Sequence, residues 1–140
     1  PEGIAVIQVI AIPEQRYAEY RRSCDWIQKH IFPGGETPSL EVLLTSMRKH
    51  SQLFVDDVEN IGVHYARTLR EWRERFRKSR NAVQELGFDE RFQRMWEYYL
   101  CYCEAGFSTR FLSTYQLVLT RSRNPNLAPC PGYDGPPVLR

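Results

Sequence analysis

The sequence predicts an α/β fold in which helices flank both faces of a small sheet. Three observations lead there. The run Gly3 to Ile12 is almost wholly apolar, rich in valine and isoleucine, and closed by Pro13, the pattern of a strand buried on both faces in a parallel sheet. Two long segments, around Leu69 to Phe76 and Phe92 to Phe107, repeat large apolar side chains at three- and four-residue steps. A last β-prone run, Phe111 to Thr120, follows them, and strands alternating with helices form a sheet covered by helices.

Element by element, the first strand leads through Pro13 into one or two helices marked by Tyr17, Tyr20, Cys24, Ile27 and Ile31. These end in the heavily punctuated stretch "HIFPGGETPS". Ser39 reads as an N-cap for a helix whose apolar face is Leu40, Leu43, Leu44 and Met47. "LFVDDVENIGVHY" is a short strand entering a loop. One helix then runs from Ala66 to Leu86 and stops at Gly87. Asp89 opens a mostly buried helix carrying Met95, Trp96, Tyr99, Leu100, Cys103 and Phe107. Residues 122–140 are rich in proline and glycine with little to pack, and disorder is expected there. Three strands make a small sheet, and the apolar first strand implies a neighbour that the sequence does not contain, so half a domain is expected.

Composition narrows the class. With 140 residues and 42% hydrophobic content the chain can bury one core, and a formal charge of +2 gives no field that would mark nucleic acid as a partner. No apolar run approaches the ~18 residues that a spanning helix needs, and the opening lacks the basic flank and cleavage site of a signal peptide. Cys24, Cys101, Cys103 and Cys130 form no CxxC pair, and two cysteines inside one helical pattern cannot bridge each other, so free thiols in a reducing compartment are expected. His30, His50 and His64 are scattered without ligand spacing, and no metal is expected.

The stretches "WIQKHIFPGGETPSLEVL", "HYARTLREWRERF", "FDERFQRMWEYYLCYCEAGF" and "YQLVLTR" together resemble the C-terminal part of the cyclopropane-fatty-acyl-phospholipid synthases and mycolic acid cyclopropane synthases, over about Gly3 to Arg121. The resemblance implies the C-terminal half of a class I, Rossmann-like S-adenosylmethionine-dependent methyltransferase sheet. Gly3 to Ile12 would be its fifth strand, Leu53 to Val58 its sixth and Phe111 to Thr120 its antiparallel seventh, in the order 5-7-6. The glycine-rich cofactor loop of that fold would precede Pro1, so no cofactor-binding residue is expected within the chain, and the segment alone is expected to be inactive.

The implied reaction transfers a methyl group to a cis double bond of an unsaturated phospholipid acyl chain. A bound bicarbonate then takes a proton from the carbocation so that a cyclopropane ring closes. Tyr65, in "HYARTL", inherits the part of a bicarbonate ligand, since a phenol can donate a hydrogen bond to an anion without adding charge. Phe32, Tyr65, Leu69, Tyr99 and Cys103 fall at positions implied to line the acyl pocket, and Thr37 stands where the mycolic acid branch typically carries leucine. Arg67 to Arg80 holds Arg67, Arg70, Arg73, Arg75, Arg77, Lys78 and Arg80 against Glu71 and Glu74, a basic helix of the kind that docks on anionic lipid heads. The expected setting is thus cytoplasmic, with peripheral membrane contact, no nucleic acid, and self-association through the bare edge of the first strand. Two other functions fit less closely: an amine or small-molecule N-methyltransferase, and a non-catalytic lipid- or partner-binding module.

Overall fold

The computed structural model describes residues 2–124 and 126–127. Along the chain lie β1 (Ala5–Ala11), α1 (Glu14–Tyr20), α2 (Trp26–His30), α3 (Leu40–His50), β2 (Phe54–Asn60), α4 (Gly62–Lys78), α5 (Arg80–Glu85), α6 (Glu90–Ser108) and β3 (Ser113–Thr120). The sheet order is β1-β3-β2, with β3 antiparallel to both neighbours. This is the three-strand α/β arrangement, with its antiparallel central strand, that the resemblance implied. Ala5 pairs with Leu119 and Ala11 with Ser113, while Phe54 pairs with Thr120 and Asn60 with Tyr115 across an irregularity between Val55 and Asp57.

Helix starts follow local chemistry. Ser39 accepts from the Val42 amide at 3.2 Å and Asp89 from the Phe92 amide at 2.7 Å, so both expected caps close orphan amides at helix N-termini. The apolar stripes of α4 and α6 meet in the core, where Ala66, Leu69, Leu100 and Phe107 are buried and Phe76, Trp96 and Leu112 pack against them. Burying a side chain such as Leu100 stabilises the fold by roughly 1.5–3 kcal/mol. β3 is the buried centre of the sheet, with Leu117, Thr114 and Thr120 inaccessible.

Three expectations change. The first strand is not buried on both faces of a parallel sheet: its only pairing partner among the described residues is antiparallel β3, its residues alternate in exposure, and Val6 is 66% accessible. Continuous apolar sequence cannot distinguish two covered faces from one covered face beside an open one. The single helix expected after Tyr65 is two, because α4 starts earlier at Gly62 and breaks at Ser79, whose amide is shared between the carbonyls of Arg75 and Phe76. The strand expected over Leu53 to Val58 is Phe54–Asn60, and because α4 starts at Gly62, Tyr65 lies within a helix and not a loop. The disorder expected for residues 122–140 falls mostly outside the described residues. Within the described part, Asn124 donates to the Thr120 hydroxyl at 2.8 Å and to the Gly3 carbonyl at 3.4 Å, and Asn126 donates to the Glu2 carbonyl at 3.0 Å.

Candidate functional site

The glycines of "IFPGG" close a tight turn. Gly34 sits at φ +79, a left-handed conformation that side chains disfavour, and a Cβ on Gly35 would lie 3.1 Å from the Phe32 carbonyl oxygen that its own amide donates to. Neighbours pin the turn from two sides. Asp25 and Gln28 form a capping box at the start of α2, and the Gln28 side chain donates onward to the Gly35 carbonyl at 2.9 Å. From α1, Tyr17 donates to Glu36 at 2.9 Å, Arg21 pairs with the same carboxylate at 3.1 Å, and the Tyr20 hydroxyl accepts from the Thr37 amide at 3.1 Å. The punctuation thus turns the chain back on itself between α2 and α3, with Phe32 left 53% accessible.

Behind the turn is a cavity of about 600 Å³, within the range of small-molecule sites. Ile10 and Ile12 of β1, Phe107 of α6 and Leu112 give it apolar walls. Three of the expected pocket residues, Phe32, Tyr99 and Cys103, line it together with Thr37, and Phe32 meets Tyr99 edge-on at 6.1 Å. Burial pushes the Cys103 thiol up to about 11, against a lowering by the hydroxyl of Tyr99 and with a smaller push from Asp25, so the sulfur is a neutral apolar wall. Burial likewise raises Tyr99 and Tyr102, keeping their hydroxyls protonated.

Leu69 and Tyr65 stand apart from this cavity. Leu69 is 3% accessible inside the α4–α6 core. Tyr65 packs against Phe107, itself a lining residue of the cavity, with ring centroids 5.3 Å apart. Its hydroxyl oxygen accepts a 2.5 Å hydrogen bond from Nε2 of Gln8, whose own Oε1 accepts from Gln116 at 3.3 Å. The Gln8 donor occupies the acceptor side of the phenol and leaves its hydrogen free to be donated elsewhere. Gln8 was not singled out from sequence. It sits in an apolar strand where alternation marks it only as outward-facing, and its partner is 57 positions away.

The basic helix is largely compensated. Arg70 and Arg73 converge on Glu104 at 2.9 and 2.8 Å, Arg77 and Arg80 clasp Glu97 of the same helix α6, and Arg67 and Arg75 flank Glu71. Hydrogen bonding to Glu104 and Glu97 raises Arg70 and Arg77 further, and the Arg77 bond leads in holding Glu97 below the usual carboxylate range. Glu104 therefore ties two helices together. No helix of the described residues is long and apolar enough to cross a membrane.

The family model described as mycolic acid cyclopropane synthetase matches residues 1–117. Tuberculostearic acid methyltransferase UfaA1 of Mycobacterium tuberculosis is 46% identical over 125 residues, which cover 89% of this chain and 29% of that protein. The cyclopropane-fatty-acyl-phospholipid synthase of Escherichia coli is 36% identical over 121 residues, covering 86% and 30%. The chain thus spans about a third of the length of these relatives. Among solved structures, the cyclopropane synthase MmaA2 of M. tuberculosis superposes with a TM-score of 0.73 at 22% identity over 85% of this chain and 44% of that one. The mycolic acid cyclopropane synthase CmaA1, complexed with SAH and CTAB, gives 0.72 at 21% identity over 84% and 44%. At that identity these two structures show a shared fold.

Proposed function

Because the chain belongs to the mycolic acid cyclopropane synthetase family, we propose that its protein transfers a methyl group from S-adenosylmethionine to the double bond of an unsaturated phospholipid acyl chain, with this segment holding the acyl chain. The observation that carries the reading is the apolar cavity walled by the Phe32 turn, β1 and α6. The residues present do not fit the cofactor itself. No glycine-rich turn joins a strand to a helix among the described residues.

Tyr65 fits a small anion such as bicarbonate as one of its donors, because Gln8 fills the acceptor side of the phenol oxygen. A bicarbonate bound there would supply a base. Gln8 orients the phenol, Gln116 holds the Gln8 amide, and Phe107 keeps the Tyr65 ring against the cavity wall. Apolar walls exclude water from a carbocationic centre, and aromatic faces at Phe32 and Tyr99 attract positive charge through their quadrupoles. The relative at 46% identity is named for a methyl-branched acid and the one at 36% for a cyclopropane, so acyl methylation is the common reading and the ring or branch is the product to be determined.

Access to phospholipid implies approach to a membrane. Exposed Phe32, Tyr102 and Phe111, which also line the cavity, support that approach better than α4, whose arginines are engaged with carboxylates. The test is to express the full gene product in a host with unsaturated phospholipids fed methyl-labelled methionine, then analyse its lipids by mass spectrometry. Label in acyl chains is expected. Label confined to amines, or absent from lipid, overturns the reading.

A further inference from the structure

Arg16 is the one cation among the described residues that line the cavity. It forms no ion pair among the described residues, although Glu19, Asp25 and Glu36 line the same space. Asp25 is engaged as the cap of α2, and Glu36 is held by Tyr17 and Arg21, while Glu19 stands exposed one turn along α1. The Arg16 guanidinium carbon instead lies over the ring of Phe111, 3.0 Å from its centroid, and its Nη1 is sealed from solvent with no hydrogen-bond partner among the described residues. A guanidinium stays charged at any working pH and presents a planar fork of donors suited to carboxylate or phosphate. An aromatic face attracts it without neutralising its charge.

We infer that Arg16 anchors the anionic end of a lipid in this cavity, pairing with a carboxylate or phosphate while the hydrocarbon chain lies along the apolar wall of Ile12, Phe107 and Leu112. The inference rests on the acyl reading of the cavity. It adds that the site selects lipids that carry a negative group at one end. Phe111, placed just before β3, holds the guanidinium at the cavity wall, so α1 and the α6–β3 connection share the anion site.

Binding is measured on the full chain by tryptophan fluorescence, below the aggregation concentration of each probe, with oleate, 1-oleoyl lysophosphatidate and uncharged oleyl alcohol. Arg16→Gln is expected to weaken at least one anionic probe roughly tenfold, as loss of a charged hydrogen bond does, and to leave oleyl alcohol unchanged. The probe that responds identifies carboxylate or phosphate. If every anionic probe binds Arg16→Gln as it binds the wild type, or if the alcohol weakens in parallel, the anchor is refuted while the acyl cavity stands. If none of the three probes binds the wild type, the acyl reading fails and the anchor with it. Should Arg16→Gln not fold by circular dichroism, the wild type decides: anionic probes must bind more tightly than the alcohol, and added salt must remove that advantage.

Discussion

Tyr65 and Gln8 form a two-residue device whose parts can be separated by substitution. In the full-length protein, Tyr65→Phe would remove the hydrogen that the proposed anion accepts and leave the ring packed on Phe107. Turnover should drop roughly ten- to a hundredfold with an unchanged circular dichroism spectrum. Gln8→Leu removes a neutral donor, so a smaller loss of roughly two- to tenfold is expected. Turnover by Tyr65→Phe equal to wild type would remove the tyrosine from the mechanism. Cys103 offers a second test. With its thiol raised to about 11, it should resist iodoacetamide at pH 8 while exposed Cys24 reacts, and mass spectrometry of the alkylated sites reads the order. Because the folded thiol holds its proton longer than the unfolded one, its contribution to stability is complete below the ordinary thiol range and is lost as pH rises towards 11. The tyrosine stood out in sequence because it sits in a long motif. Its partner did not, because a glutamine in an apolar strand acquires meaning only when β1 and α4 are brought side by side.

At the scale of elements, the contact between α4 and α6 combines an apolar seam with two carboxylates that each receive a pair of arginines. Glu104 is only 14% accessible, and Nε of Arg73 is buried without a partner, so Glu104→Ala would leave a buried charge with less compensation still. It should cost about 1.5–3 kcal/mol in urea unfolding, whereas Glu90→Ala, which breaks an exposed pair with Arg94, should cost under about 1 kcal/mol. Glu97, held low by Arg77 and Arg80, contributes stability above the ordinary glutamate range that is lost as pH falls through its folded value. Glu97→Gln should flatten the acid limb of the unfolding midpoint. Both long helices and both serine and aspartate caps were legible, since periodicity and capping are local. The break at Ser79 was not. Arg80 reaches Glu97 only because the chain turns there, and that constraint belongs to a partner 17 positions away.

The whole molecule is a sheet with β1 and β2 as its two edges, and the outer edge of β1 pairs with nothing among the described residues. With Ile4, Val6 and Ile10 exposed along it, the chain should associate in sedimentation at high micromolar concentration. A strict monomer whose β1 amides resist exchange would contradict this. By the same architecture it should show no micromolar binding of S-adenosylmethionine in calorimetry, because the strand ends described here carry no glycine-rich loop. The strand order and direction were legible through the resemblance alone; the apolar pattern of β1 could not reveal its open face. The pairing of β1 with β3 also sets an order in time. Gln8 and Gln116 are 108 positions apart, so a ribosome adding roughly 5–20 residues per second releases the partner of β1 on the order of five to twenty seconds after β1 itself. Through that interval α4 can form locally, but the edge of the valine- and isoleucine-rich first strand that β3 will cover stays open, and its protection during synthesis falls to whatever binds nascent apolar chain.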